Sequence, residues 1–124
     1  MDSLNQFYSI IQNGLKAKRS IVSLRNSKLV WKLLNVLHRE GYIRGLELKN
    51  NKINVWLKYK NDKPVINKIK RISRPSNRVY LSSNNISLYK RGVGIILLST
   101  RNGIYSDIDA RLQGLGGEIL CQVF

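Results

Sequence analysis

The chain is 124 residues long, which makes it one domain or two small lobes sharing an interface and excludes a large multidomain enzyme. Lys and Arg number 22 against 7 Asp and Glu, a formal charge of +15, and self-repulsion on that scale calls for a polyanionic partner. Hydrophobic residues make up 43% of the chain, so a folded basic protein is expected and not a disordered basic tail.

Leu4, Phe7, Tyr8, Ile11 and Leu15 recur at helical spacing behind a cap at Asp2 or Ser3, and Gly14 weakens only the end of that helix. A second helix is predicted from Ser27 as N-cap, with Val30, Leu33, Leu34 and Leu37 on one face and Gly41 as its left-handed stop. The period then changes to two. Ile43, Leu46 and Leu48 lead into Asn50-Asn51, a pair tolerant of positive φ, and Ile53, Val55, Leu57 and Tyr59 follow in alternation, which predicts a β-hairpin. Beyond the loop at Asn61 to Pro64, the segment Val65, Ile66, Ile69, Ile72 reads as the last strand of a first lobe, broken at Ser73-Arg74-Pro75.

Residues 74–124 then read as a mostly β lobe. It has a strand at Arg78 to Leu81, a polar turn to Asn85, a brief helix from about Asn85 to Lys90, and the apolar strand Ile95 to Leu98 behind Gly92 and Gly94. A turn through Ser99 to Gly103, a strand at Ile104 to Ser106, a helical turn at Asp107 to Gln113 and a final strand from Glu118 to Val123 complete it. The fold class expected is α+β: residues 1–73 form two helices with a three-stranded sheet, and residues 74–124 form a β-rich lobe with short helices.

The single cysteine, Cys121, excludes an internal disulfide, and Cys121 with His38 makes no four-ligand zinc set. No metal or other cofactor is expected. The longest apolar runs, such as Val93 to Leu98 around Gly94, are far short of the roughly 20 residues of a spanning helix, so a soluble protein is expected. Met1 to Gln6 has the look of neither a signal nor a transit peptide, so the protein works where it is made or its presequence is missing here. Asn (13), Ile (14) and Lys (12) are abundant and Ala occurs only twice, the signature of an AT-rich gene. That points to an organellar genome, with an AT-rich bacterium as the alternative.

Charge is unevenly placed. Residues 1–101 hold 21 of the 22 Lys and Arg and 4 of the 7 acids, net +17, whereas residues 102–124 are net −2. Dense stretches are Lys16-Ala17-Lys18-Arg19, Lys58 to Lys63, Lys68 to Arg78 with Lys70, Arg71 and Arg74, and Lys90-Arg91. Six to eight phosphate contacts from these would make binding fall by orders of magnitude with salt. Of the aromatics, Tyr80, between Arg78 and a polar turn, is the better RNA-stacking candidate, with a packed hydroxyl as its alternative; Trp56 reads first as cover over a small sheet and second as a stacking platform.

Two compact loops, Ser99-Thr100-Arg101-Asn102-Gly103 and Gly114-Leu115-Gly116-Gly117-Glu118, flank short apolar strands. Glycine permits close backbone approach, and Ser and Thr hydroxyls both donate and accept, which suits the 2′-hydroxyls of the shallow RNA minor groove. Charge steers, and this corner would discriminate.

Ser73-Arg74-Pro75 before Arg78-Val79-Tyr80, Gly92-Val93-Gly94-Ile95, Ser99-Thr100 with Gly103, and Gly114-Leu115-Gly116-Gly117-Glu118-Ile119 resemble, in order and spacing, the bacterial-type small-subunit ribosomal protein eight family. Ser27-Lys28-Leu29 and Glu40-Gly41-Tyr42-Ile43 extend the likeness over nearly the whole chain. The resemblance implies a two-lobe α+β protein that binds the central domain of small-subunit rRNA early in assembly beside neighbouring ribosomal proteins, in an organellar ribosome, mitochondrial first and plastid or bacterial second. It implies that Ser99 and Thr100 contact nucleotides, that Gly103 permits the turn, and that Gly116, Gly117 and Glu118 shape the adjoining surface. Arg101 stands where the family has a third hydroxyl. The first helix has Ser9-Ile10-Ile11-Gln12-Asn13 where the family has Thr-Arg-Ile-Arg-Asn, which leaves Asn13 and either removes the second rRNA contact or moves it to Lys16, Lys18 and Arg19.

Enzyme readings are weaker. Asp107 and Asp109 read as an N-cap and a first-turn acid, His38 as an exposed last-turn residue, and Cys121 as core filler; Gly114 to Gly117 lack the Lys-Ser/Thr ending of a phosphate loop. No catalytic residue, small-molecule substrate or membrane partner is expected. The alternatives are an RNA-processing enzyme and a basic protein of membrane or polyanion surfaces; the latter lacks an amphipathic helix with a concentrated Lys/Arg face.

Overall fold

The computed structural model describes residues 3–86 and 94–124. Two compact units, Met1–Asn67 and Lys68–Phe124, make up the α+β fold. The short helix expected to Lys90, together with Tyr89, Lys90-Arg91 and Gly92-Val93, lies partly or wholly outside the described residues, as does a cap at Asp2.

The first unit holds α1 (Ser3–Lys16), β1 (Ile21–Arg25), α2 (Lys28–Arg39), β2 (Ile43–Lys49), β3 (Lys52–Leu57), β4 (Tyr59–Lys60) and β5 (Lys63–Pro64). Phe7 and Ile11 of α1 and Leu33, Leu34 and Leu37 of α2 are almost fully buried, as are Ile53 and Val55 of the sheet. Each such side chain contributes roughly 1.5–3 kcal/mol through its removal from water. The antiparallel sheet runs β1-β3-β2. Its third strand is Ile21–Arg25, paired Ile21 to Trp56 through Arg25 to Lys52, and not the expected Val65–Ile72. Asn50 and Asn51 both have positive φ in the β2–β3 turn, as expected; Asn61 and Asp62 repeat that turn between β4 and β5.

Both helices of this unit end in a Schellman motif. After α2, Gly41 (φ 84°) donates to His38 O and Tyr42 N–H to Leu37 O. After α1 the left-handed position is occupied by Lys18 (φ 54°), whose N–H donates to Leu15 O while Arg19 N–H donates to Gly14 O. A side chain there costs roughly 1–2 kcal/mol relative to glycine.

The second unit contains β6 (Ile69–Arg71), β7 (Tyr80–Leu81), a 3₁₀ turn (Ser83–Asn85), β8 (Ile95–Thr100), β9 (Gly103–Ser106), α3 (Asp107–Leu112) and β10 (Gly117–Val123). Its sheet runs β6-β10-β8-β9, with β7 also on β10. Ile69 pairs with Val123, so the strand assigned above to the first lobe belongs here and the units divide after Asn67 rather than after residue 73. Ile95 to Leu98 are buried on both faces, which explains their unbroken apolar run. Ile86, Ile96, Leu98, Ala110 and Ile119 form the core cluster.

The cap of α3 is Ser106, whose hydroxyl accepts from Asp109 N–H. Asp107, expected as that cap, is instead the first helical residue; it is buried and accepts the Ile96 N–H on Oδ1, tying α3 to β8.

Candidate nucleic-acid interface

The loop expected to discriminate is a two-residue β8–β9 turn at Arg101-Asn102, closed by the pair Thr100–Gly103. Gly103 has φ 131°, and a Cβ there would meet nothing within 4 Å, so glycine is required by backbone conformation and not by space. The Thr100 hydroxyl donates to Gly103 O at 2.8 Å and accepts from Asn102 N–H at 3.2 Å. Its proton is therefore committed, and what it offers a ligand is its second lone pair: Thr100 is an acceptor here, narrower than the donor-and-acceptor role expected. Ser99 and Thr100 are half-buried, and Arg101 and Asn102 are exposed at the tip.

Gly116 and Gly117 act on this loop from inside the fold. A Cβ on Gly117 would lie 2.2 Å from Ser99 O and 3.2 Å from Thr100 Cα; one on Gly116 would lie 2.4 Å from Leu81 O and 2.8 Å from Ser82 Cα. The glycine pair thus lets β10 pass between the end of β8 and the end of β7, and its close approach is to its own chain, not to a ligand as composition suggested.

Glu118 pairs with Ser99 on one side and with Tyr80 on the other. Its carboxylate forms an ion pair with Arg78 at 3.0 Å. Tyr80 is 65% exposed. Arg74 sits at the start of a turn closed by reciprocal backbone bonds with Asn77, and Ser73 Oγ accepts the Val79 N–H at 2.9 Å, which steadies the approach to Tyr80. One strand, β10, therefore brings Ser99, Thr100, Gly103, Gly116, Gly117, Glu118, Arg78 and Tyr80 together.

The remaining predicted residues lie elsewhere. Lys70 and Arg71 pair with Gln122 and Cys121 near the far end of β10, and Lys68 exchanges backbone bonds with Phe124. Lys70 is four residues along β10 from the Glu118 row, about 13 Å. In the first unit, Lys16, Lys18 and Arg19 are exposed at the end of α1, and Asn13 and Arg19 line one open cleft with Ile10, Ile21 and Ser23. Sequence reasoning missed the Arg78–Glu118 pair, whose partners are 40 residues apart, and the left-handed Lys18, for which the charge run 16–19 carries no local sign. It also missed the exposed apolar pair Ile108 and Leu112 on α3, readable as an i, i+4 spacing.

Among the described residues no group of three or more His, Cys, Asp or Glu side chains is placed to hold a metal ion. No described helix is long and apolar enough to cross a membrane.

Residues 2–124 match the family described as Ribosomal protein S8. Relatives carrying the name small ribosomal subunit protein uS8 include that of Sinorhizobium fredii (strain NBRC 101917 / NGR234), 44% identical, and that of Rhodospirillum centenum (strain ATCC 51521 / SW), 40% identical. In both the similarity covers 99% of this chain and 97% of the relative. A third, from Rhizobium meliloti (strain 1021), is 43% identical over the same shares. Full-length agreement with the motif order set out above places the chain, without qualification, in the ribosomal protein S8 family.

Proposed function

We propose that the protein is a structural, non-catalytic constituent of a small ribosomal subunit that binds the central domain of small-subunit rRNA and supports its assembly. The observation that carries the reading is the β10 arrangement, in which two side-chain-free positions hold the Ser99-Thr100 loop beside Tyr80 and the Arg78–Glu118 pair. Half-buried Ser99 and the acceptor oxygen of Thr100 suit the 2′-hydroxyls of a minor groove, and exposed Arg101 suits a flanking phosphate. Arg74 and Arg78 supply further phosphate contacts, and Tyr80 an aromatic face. Lys68, Lys70 and Arg71, and in the first unit Asn13, Lys16, Lys18 and Arg19, supply less selective contacts. Gly103, Gly116, Gly117 and Glu118 position the loop.

The test is a double substitution, Ser99→Ala with Thr100→Ala, assayed against a cognate central-domain fragment and a random RNA duplex. Cognate binding falls by about tenfold or more, in line with two lost polar contacts, and random-duplex binding stays nearly unchanged. Equal losses on both RNAs overturn the reading.

The Asn-, Ile- and Lys-rich, Ala-poor composition supports an organellar, mitochondrial setting, and the family supports other small-subunit proteins as neighbours. Co-sedimentation of the tagged chain with mitochondrial rather than cytosolic small subunits checks the setting.

A further inference from the structure

The β1-β3-β2 sheet buries one face under α1 and α2 and turns the other outward. Register sorts the outer face into three cross-strand rows. Arg25, Lys52 and Lys49 form one, with Lys52 paired to both neighbours and all three exposed. Ser23, Asn54 and Glu47 form the next, hydrogen-bonded in series: Ser23 Oγ donates to Asn54 Oδ1 at 2.7 Å, and Asn54 Nδ2 donates to Glu47 Oε1 at 3.2 Å. Ile21, Trp56 and Gly45 form the third.

Three features of these rows point the same way. Like charges directly opposite on neighbouring strands repel, yet the first row sets three cations abreast while the nearest acid of the face, Glu47, is engaged one row away by Asn54. That row has the character of an anion grip. In the third row the indole lies over Gly45: a Cβ there would meet Trp56 Cε3 at 3.5 Å and Cδ2 at 3.8 Å. With no side chain beside it on β2, and with Ile21 41% exposed on β1, the half-buried ring keeps part of its apolar surface open to solvent. Trp56 and Lys52 are four residues apart on β3, about 13 Å. The row between them is a fixed set of donors and acceptors suited to base edges, Glu47 to exocyclic amino groups among them.

We propose that this outer face binds unpaired RNA nucleotides, with Trp56 as the stacking platform, Arg25, Lys49 and Lys52 on the phosphates, and the Ser23–Asn54–Glu47 row against base edges. The occupant is single-stranded because a paired, stacked A-form helix has no base face free for the indole. The site is separate from the Ser99-Thr100 loop and stands whether or not that loop reads a minor groove.

The experiment uses the full chain carrying Trp31→Phe, so that Trp56 is the only tryptophan, titrated with a short single-stranded oligouridylate at low salt. Trp56 fluorescence is quenched saturably. Filter binding of the labelled oligonucleotide reads the variants that lack tryptophan: Trp56→Ala weakens binding about tenfold, in line with the loss of one stacked base, and Trp56→Phe keeps most of the affinity. Replacing Arg25, Lys49 and Lys52 by Gln lowers the salt slope by about 2. Ser99→Ala with Thr100→Ala leaves all of this unchanged, which separates this site from the proposed function. Absence of quenching at saturation overturns the proposal even if Trp56→Ala fails to fold. Equal quenching by a duplex of the same length also overturns it, as does quenching by an acidic peptide alone, which would assign the face to a protein partner.

Discussion

Arg78 and Glu118, 40 residues apart, meet across the β7–β10 junction with Nη1 3.0 Å from Oε2 and 3.3 Å from Oε1. The carboxylate is largely covered, at 14% side-chain exposure, and the guanidinium is 55% exposed. The pair therefore aims a cation whose Nε and Nη2 N–H donors are left for phosphate, and it adds little to stability, since ion pairs of this exposure contribute about 0–1 kcal/mol. Glu118→Gln is expected to shift unfolding by less than about 1 kcal/mol while lowering cognate RNA affinity several-fold. Urea denaturation and filter binding on the same preparations check both halves.

Gly117 and Gly103 separate crowding from conformation. Gly117→Ala drives a Cβ into Ser99 O and is expected to cost about 1–3 kcal/mol, and more if β10 cannot shift. Gly103→Ala meets no neighbour but forces alanine to φ 131°, a strain of order 1–3 kcal/mol confined to the turn. Hydrogen exchange distinguishes them: the first loosens amides along β10 and β8, the second only those near Asn102.

Neutralising Lys68, Lys70 and Arg71 removes cations at the far end of β10 from the Ser99 loop. The expected result is weaker binding to every RNA tested and a salt slope lower by about 2–3, with the cognate-to-random ratio preserved. Affinities measured at several salt concentrations read this directly.

Lys18→Gly relieves the left-handed residue that closes α1 and is expected to stabilise the protein by about 0.5–1 kcal/mol, the strain relieved exceeding the entropy glycine adds to the unfolded chain. RNA affinity falls slightly with the lost charge. Thermal unfolding together with RNA titration shows whether the two effects oppose each other.

Tyr59 donates its hydroxyl proton to Arg19 O at 2.5 Å, and burial raises its pKa above the usual 10.0. The folded state then holds this proton more tightly than the unfolded state. The contribution is complete below pH 10 and is lost as pH rises through the raised value. The phenolate absorbance missing from Tyr59→Phe is expected to titrate above pH 10 in the folded protein, and the stability difference between the two proteins narrows across the same range.

Much of the fold is legible locally. The helices at 4–15 and 28–39 follow from apolar spacing, the end of the second from Gly41, and the β2–β3 hairpin from Asn50-Asn51; Ser27 stands at the N-cap position with extended backbone, but its side chain makes no cap bond. What fails is what depends on partners far along the chain. Ile66 and Ile69 look like one strand by composition, yet Ile66 is buried in the first unit and Ile69 pairs with Val123 in the second. The short strand Ile21–Arg25 shows only two inward residues, Val22 and Leu24, after a run of charge, and its place in the sheet comes from β3. At the interface, the residue types at Ser99, Thr100 and Gly116-Gly117 are readable, but the direction of the Thr100 proton and the self-packing of the glycines are properties of the closed turn.

Because β10 carries the partners of β6, β7 and β8, it is the piece without which the sheet of the second unit is reduced to the β8–β9 hairpin, and it is the last of the described elements to be synthesised. Ile69 must wait 54 residues for Val123, whereas the helices and hairpin of the first unit find their partners within the first 67. During translation the N-terminal half can therefore mature while the C-terminal half is still open, and a message cut short before Gly117 would yield a chain whose Ser99 to Gly103 turn lacks the strand that flanks it. Completion of the second unit is thus tied to strand order: its sheet is joined up only when the last strand has been made.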